Sequence, residues 1–406
     1  MQLIGVFANN YKAYKNLELE IKPFNIVIGK NSAGKSALLR LIPFITESIK
    51  SRSTSPLSLS PLGLEIAGDY SDLIHGHKEV TPLSLGAHFK KKGTVFTIKC
   101  DLIYSIELEI VLVKTFSFYQ DGENIFQLDL DIDNLEENGV AAYKGSGLAT
   151  KIKFQGLLPH CASRGYVYKL INEIKNFDFN VSYIGPFRQN SSRIYSKKTV
   201  GSFDVGLDGQ NAPYIFYEQC KSSKGDLERK VKKWMQTRFF NKFFKIKLYE
   251  KTFSVMCSNG TVETNIVDEG MGFSQIFPSI VNRMVRDKNK IQGIEIIEQP
   301  ELHMHPAACG NIADLYLDAI KSHNIVFIET HSKEIVLRVR RRVAEKIENK
   351  ENVNIIYVDN ESTSSKIRYI KLQDDGQLSW WPVGIFEEDF EEVMALNQAV
   401  DDAHKD

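Results

Sequence analysis

The sequence predicts an α/β protein with a parallel, doubly wound sheet, an antiparallel β subdomain and a helical insertion. Four observations lead there. Strands and helices alternate from residue 293 to 358, and β-rich segments fill residues 82–133. A glycine-rich turn joins a buried strand to a helix at residues 29–36. The chain has 406 residues, enough for two or three domains or one large composite one.

Taken in order, residues 2–29 alternate in strand fashion and end in the apolar run FNIVIG, Phe24–Gly29. A helix follows from Lys35 through SALLRLIPFITESIK, and the Ser/Pro-rich SRSTSPLSLSP at 51–61 reads as a loop. The runs PLSLGAHF, GTVFTIKCDLIY, IELEIVLV and NIFQLDLDI form the expected antiparallel subdomain. Residues 165–176 and 212–244 read as helices, the second strongly basic, and short strands at 245–267 lead into a helix from Ser274. Then come a buried strand (293–297), a helix (306–321), a strand (325–328), a helix (333–348) and a strand (353–358), the order of a parallel sheet. FEEDFEEVMALNQAVDDAHKD closes the chain as an acidic helix or tail. Neither an internal repeat nor a sustained heptad pattern is present. The domain expectation is therefore 1–158, holding the glycine-rich turn and the β subdomain; 159–250, the helical insertion; 251–385, the second half of the parallel sheet; and 386–406, the acidic tail.

Hydrophobic residues make up 43% of the chain, ample for a buried core. Lys plus Arg is 51 and Asp plus Glu is 51, so no global basic field advertises nucleic acid. The five cysteines are scattered without a CxxC pair, which reads as reduced thiols. MQLIGVFANNYKAY lacks a signal pattern, and no apolar run approaches membrane-spanning length. A soluble cytoplasmic protein with no membrane partner is expected.

GKNSAGKS, formed by Gly29, Lys30, Asn31, Ser32, Ala33, Gly34, Lys35 and Ser36, matches the P-loop pattern completely. It sits between a buried strand and a helix, the context that pattern requires. The glycines let the backbone wrap around phosphate oxygens, and the amides at the helix start favour an anion. Lys35 is placed to reach the β- and γ-phosphates, and the Ser36 hydroxyl to help hold Mg²⁺. ATP with Mg²⁺ is the expected cofactor pair. Glu298 emerges at the carboxyl end of the strand in IIEQPELHMHP, where α/β folds place ligand chemistry, and its carboxylate suits Mg²⁺.

Several motifs stand in order: GKNSAGKS, YIGPFRQNSSRIY (183–195), VGLDGQN (205–211), DEGMGFSQIFP (268–278), IIEQPELHMHP (296–306) and IETHSKEIVLRVRRR (328–342). Together they resemble ATPases with the head domain shared by ABC transporters, SMC proteins and RecF. More narrowly, they resemble the OLD-like or AAA-type bacterial ATPases of anti-phage systems, with the Septu-type ATPase subunit the nearest analogue. The resemblance implies an α/β, ABC-ATPase-like P-loop NTPase head and covers most of the chain. It makes DEGMGFSQ the ABC signature, with Gly270, Gly272, Ser274 and Gln275 facing the phosphates of ATP bound to another subunit. Physically, Ser274 suits the cap of a helix whose free amides face an anion. It makes His331 the switch histidine at the γ-phosphate. It leaves Arg188 and Arg193 without a role.

The same resemblance puts a catalytic Glu where Gln299 stands. An amide takes no proton at neutral pH, and a positioned general base contributes roughly 10²–10⁴-fold in rate. Slow hydrolysis is therefore expected, with Gln299 orienting water or Glu301 acting from the next turn. His303 and His305, like His75 and His77, form HxH pairs, read either as metal ligands or as turn histidines. The basic stretch 221–247, interleaved with aromatics, suits a nucleic-acid backbone or a solvated cationic face. About 75 residues follow His331, too few for the nuclease domain of OLD proteins. The expected protein is a homodimer or higher homo-oligomer, joined through ATP and controlling a separate effector such as an HNH nuclease. The alternatives are a RecF-like DNA-repair ATPase and a non-hydrolysing ATP-locked scaffold.

Overall fold

The computed structural model describes every residue except 79–80, 136–140, 146–147, 161–164, 362, 387–395 and 397–406. The first strands are β1 (Gln2–Tyr11), β2 (Tyr14–Glu20) and β3 (Phe24–Gly29), followed by helix α1 (Lys35–Lys50). Strands β4 (Leu83–Lys91), β5 (Thr94–Ser105), β6 (Ile110–Gln120) and β7 (Glu123–Leu135) come next. After them run β8 (Ala141–Gly145), β9 (Leu148–Gln155), β10 (Leu158–His160), α2 (Tyr166–Lys175), β11 (Val181–Ile184) and β12 (Tyr195–Ser196). The middle holds α3 (Ala212–Ser222), α4 (Asp226–Gln236), β13 (Phe243–Leu248), β14 (Thr252–Ser258), β15 (Glu263–Asn265) and α5 (Met271–Lys288). The last elements are β16 (Ile294–Glu298), α6 (Pro306–Ile320), β17 (Ile325–Glu329), α7 (Lys333–Ala344), β18 (Val353–Glu361) and β19 (Ser364–Ile370).

The chain forms two compact units. The first comprises Met1–Lys22, Ser32–Val181 and Asp359–Ile367. It is built on a nine-stranded sheet of order β10-β9-β8-β7-β6-β5-β4-β1-β2, antiparallel throughout. In β5 the buried side chains are Phe96, Ile98, Cys100 and Leu102, every second residue, as a sheet with one packed face requires. Helix α1 buries Leu38, Leu39, Leu41, Ile42, Phe44, Ile45 and Ile49. Phe44 stacks on Tyr11 of β1 with ring centres 6.0 Å apart.

The second unit comprises Pro23–Asn31, Ser182–Val358 and Arg368–Asp406. Its strands β16, β17, β3 and residues 353–358 of β18 run parallel, in the sheet order β16-β17-β3-β18. Every residue of β3 and β16 is buried, as expected for strands covered on both faces. Gly29, Glu298 and Glu329 end adjacent parts of this sheet on the same edge, because parallel strands deliver all their carboxyl ends together. A small sheet of order β12-β14-β13, with β15 on β14, completes the unit.

Three expectations need correction. The stretch 212–244 is not one helix. Lys224 (φ 49°) and Gly225 (φ 80°) take left-handed conformations, and the Gly225 amide returns to the Cys220 carbonyl at 2.8 Å, ending α3. The chain restarts as α4 and has become strand by Phe243. The helix expected from Ser274 begins at Met271, behind Gly270. Strand β19, with its alternating burial, was not anticipated. The acidic tail lies outside the described residues apart from Phe386 and Leu396. Among the described residues Cys100, Cys220, Cys257 and Cys309 are free thiols, and no helix is long and apolar enough to cross a membrane.

Candidate nucleotide-binding site

The cradle starts where β3 stops. Gly29 has φ 154°, and a Cβ there would stand 2.4 Å from the Val358 carbonyl oxygen of β18. Glycine is thus required by the neighbouring strand, on the protein side of the loop and not on the side left open for phosphate. Ser32 turns left-handed at φ 61° and Gly34 at φ 103°. Gly34 is the N-cap of α1 and makes no side-chain cap bond, so it brings no side-chain acceptor to the first-turn amides. Its carbonyl is held by the Tyr14 hydroxyl at 2.9 Å and by the Leu38 amide at 3.0 Å. Lys30, Asn31 and Ser32 are exposed, Ser36 is half-buried, and Ala33 and Lys35 are buried. A loop carrying two lysines, backbone donors and no carboxylate fits a polyphosphate.

The acidic edge lies at the ends of β16 and β17. Glu298 and Glu329 are register partners, each 3% exposed. The Tyr183 hydroxyl of β11 donates to the Glu298 carboxylate. Gln299 adopts a left-handed conformation, φ 44°, and its amide donates to the Glu329 carbonyl at 2.8 Å. Arg188 lies beneath this turn. Its Nη2 donates to the Glu298 carbonyl at 2.7 Å and its Nη1 to the Gln299 carbonyl at 3.3 Å. Burial lowers the Arg188 pKa, and nearby Tyr316, Glu301 and Glu298 work against that shift.

Glu301 is tied to the turn at Thr330 and His331. Its Oε1 accepts from the Thr330 hydroxyl at 2.8 Å and from the His331 amide at 2.7 Å, while Oε2 is buried without a hydrogen bond. Burial raises its pKa above the usual carboxylate range, although those hydrogen bonds and Arg188 pull the other way. Ser332 caps α7 by accepting from the Ile335 amide at 3.3 Å. His331 is exposed at this turn and, with Thr330, Gly29, Lys30, Asn31, Gly384, Ile385 and Phe386, lines a cavity of about 460 Å³. The first half of the P-loop and His331 therefore face one space.

The segment expected to be the signature presents less than the sequence suggests. Gly270 (φ 86°) is the exposed N-cap of α5. Ser274 is not the cap: it lies a turn into the helix, 9% exposed, with its hydroxyl on the Ile266 carbonyl at 3.4 Å. Gln275 is 4% exposed, and its Nε2 donates to the Arg188 carbonyl at 3.4 Å. A Cβ on Gly272 would come 2.7 Å from the His303 carbonyl, so this glycine serves internal packing. Of these four residues, only Gly270 stands at the exposed tip. Beside it are the exposed Val267 and Met271, and Arg193 forms a fork with Asp268 at 2.6 and 2.8 Å.

The remaining motifs resolve into structure. His305 caps α6, accepting from the Ala307 amide at 3.2 Å, and His75 Nδ1 lies 2.8 Å from the Lys12 carbonyl. Among the described residues no group of three or more His, Cys, Asp or Glu side chains is placed to hold a metal ion. Arg338 and Arg342 both pair with Asp314, joining α7 to α6. In the basic stretch Lys242 pairs with Glu269, Lys245 with Glu263, and Lys232 lies 4.7 Å over the Phe243 ring. Arg229, Lys230, Lys232 and Lys233 remain exposed on α4, whose Leu227, Val231 and Met235 face inward.

Sequence reasoning missed Tyr183, Glu329 and Thr330 and gave Arg188 no role. Glu329 had a signal, since IVFIE repeats the strand-then-acid pattern of IEIIE. The others act across long sequence separations and carry no local pattern.

Fold and cradle together define an ATPase with the head architecture of the ABC and SMC type. A crystal structure of an SMC head bound to the C-winged helix domain of ScpA matches with TM-score 0.50 at 11% identity, over 92% of this chain and 98% of that one. The SMC head domain from Thermotoga maritima aligns with TM-score 0.46 at 10% identity, over 92% of this chain and 100% of that one. An SMC head from Pyrococcus furiosus, bound to the C-terminal domain of ScpA, gives TM-score 0.46 at 10% identity, over 98% and 99%. At 11% identity the first of these speaks to the fold alone. Comparison with curated proteins gives no match. The profile described as AAA ATPase domain matches residues 1–198 and 187–336, and the chain belongs to that family.

Proposed function

We propose that this protein binds ATP tightly, hydrolyses it slowly, and associates through its nucleotide sites to regulate a separate effector in an anti-phage defence system. The observation that carries slow hydrolysis is the Glu298–Gln299 edge. The residue after the buried acid is an amide, and its backbone is held on both sides, by Arg188 and by the Glu329 carbonyl. Lys35 is assigned to the β- and γ-phosphates, His331 to the γ-phosphate, and Glu298 to Mg²⁺, the role the P-loop pattern also gives Ser36. When bound, Mg²⁺ would neutralise charge developing on the phosphoryl oxygens. The hydrogen bonds to Thr330 and His331 favour Glu301 as anchor of the switch turn over Glu301 as base.

Association is supported by the rim of the signature. Val267 and Met271 are 40% and 54% exposed, and Phe187 and Ile194, in the loop that Arg193 ties to Asp268, are 87% and 55% exposed. Apolar side chains left in water around a helix tip suit a protein partner. The anti-phage role and an HNH-type nuclease as effector rest on the resemblance to OLD-like and Septu-type ATPases.

Single-turnover hydrolysis tests the central claim. Gln299→Glu should raise the rate by about 10²–10⁴-fold. An unchanged rate, or wild-type turnover of many ATP per second, overturns it. Mass photometry should show ATP-dependent assembly that Lys35→Ala abolishes.

The cationic face of α4 favours a second reading, a RecF-like ATPase that binds DNA. Salt-sensitive DNA binding lost in Lys232→Ala/Lys233→Ala would select that reading. Bound ATP still intact after days would instead select a locked scaffold.

A further inference from the structure

We infer that Arg188 is a positioning residue that couples the signature helix α5 to the turn carrying Gln299, so that what docks on one sets the geometry of the other. This inference rests on the proposed ATPase reading. The chain of direct contacts is short. Gln275, one turn inside α5, donates from Nε2 to the Arg188 carbonyl at 3.4 Å. The Arg188 guanidinium grips two consecutive carbonyls, Glu298 at 2.7 Å and Gln299 at 3.3 Å. The Gln299 amide donates onward to the Glu329 carbonyl, the residue before the switch turn. Three segments far apart in sequence thus meet on one arginine.

Its surroundings argue against a merely structural role. Arg188 is 6% exposed, its polar contacts at the turn are carbonyls, and its Nε is buried without a hydrogen bond. Burying a guanidinium against uncharged acceptors is costly, and simple packing is served better by an apolar side chain. What an apolar residue lacks is the planar fork that holds two carbonyls at a set angle. Those carbonyls belong to a turn whose Gln299 sits at φ 44°, a conformation that needs outside support in a residue other than glycine. The loop holding Arg188 is itself braced, with the Gly185 amide on the Leu207 carbonyl and the Gln189 amide on the Asp208 carbonyl, both at 2.8 Å. Arg188 therefore has little freedom, and a shift of α5 at Gln275 reaches the turn directly.

The experiment compares wild type with Arg188→Lys, Arg188→Met, Gln275→Ala and the double variant Arg188→Met/Gln275→Ala. Fluorescent ATP-analogue binding and single-turnover hydrolysis are measured for each. Arg188→Met should leave analogue affinity within about twofold and slow hydrolysis by about 10- to 100-fold, the loss of a charge-assisted contact made at the reacting end. Arg188→Lys should restore part of the rate, since a point charge holds one carbonyl and not two. Gln275→Ala should slow the wild type but add nothing to Arg188→Met, because the two act in series. Multiplying effects, or a wild-type rate in Arg188→Met, overturn the inference. Hydrogen exchange of the peptide spanning Gln299 reads the same relay without hydrolysis. If wild type hydrolyses nothing yet Arg188→Met and Gln275→Ala both speed that exchange, the relay stands and slow hydrolysis falls. Unchanged exchange in Arg188→Met removes the relay itself.

Discussion

Two clusters of charge in the second unit make an instructive pair. In one, Asp314 of α6 accepts from Arg338 and twice from Arg342, whose Nε and Nη2 each come within 2.7 Å, and Arg342 also reaches Glu345 at 2.8 Å. Both carboxylate oxygens are used. In the other, Arg188, Glu298, Gln299 and Glu301 lie at the carboxyl edge of the sheet, and there Arg188 Nε and Glu301 Oε2 are buried without a hydrogen bond. Arg188 spends its fork on carbonyls, not on the acids near it. The saturated cluster joins two helices. The unsaturated one surrounds a left-handed turn at the edge where α/β folds bind ligands. Unpaired buried atoms also occur elsewhere among the described residues, so what sets this cluster apart is that two of them gather around one left-handed turn at the sheet's carboxyl edge.

That contrast is open to attack, most forcefully at the saturated end. Asp314→Asn should destabilise the protein by about 2–4 kcal/mol in chemical denaturation, because two part-buried arginines lose their counter-charge. Burial alone would raise the Asp314 pKa, but the bonds from Arg342 and Arg338 outweigh it and hold the carboxyl below its ordinary range. Its stabilisation is therefore complete above about pH 4 and is lost as the pH falls, so wild type and variant should converge in acid. A difference independent of pH would break the comparison.

The unsaturated end predicts smaller effects on stability. Tyr183→Phe removes a donor to the buried Glu298 carboxylate and should cost about 1–3 kcal/mol. A neutral result would mean that Glu298 is served well enough by other partners. The smallest effect sharpens the picture most. The Glu301 carboxyl titrates above its ordinary range, so wild type loses stability as pH rises from that range through the elevated value. Glu301→Gln keeps an oxygen for Thr330 and His331 and does not titrate. Its unfolding free energy relative to wild type should climb across that window, by about 1 kcal/mol or less, and then level off, with the melting temperature following the same trend. A relative melting temperature that falls with pH would show the carboxylate to be well satisfied, against the reading of Oε2.

How much of this was legible in the sequence depends on distance along the chain. The P-loop, the strand–helix order after residue 293 and the antiparallel runs were all readable, because each follows from neighbours within a few residues. Boundaries failed where one conformational detail decided them. The left-handed pair Lys224–Gly225 cut an expected helix in two, and Gly270 took the cap assigned to Ser274. Gly29 was readable as the first residue of the P-loop, but the close approach that bars a Cβ there comes from a carbonyl 329 residues away in sequence.

By itself, the sequence determined the phosphate loop, the apolar strands that carry it, the acid at Glu298 and the amide at Gln299, since these depend on residue identity and local backbone preference. Only the tertiary structure decided that Arg188 grips the turn after Glu298, that Glu301 accepts from Thr330 and His331, and that Ser274 and Gln275 face their own protein. Apart from the Ser274 contact with Ile266, eight residues away, those facts arise from segments more than 25 residues apart that the fold brings together. No local preference encodes which side chain will be waiting there.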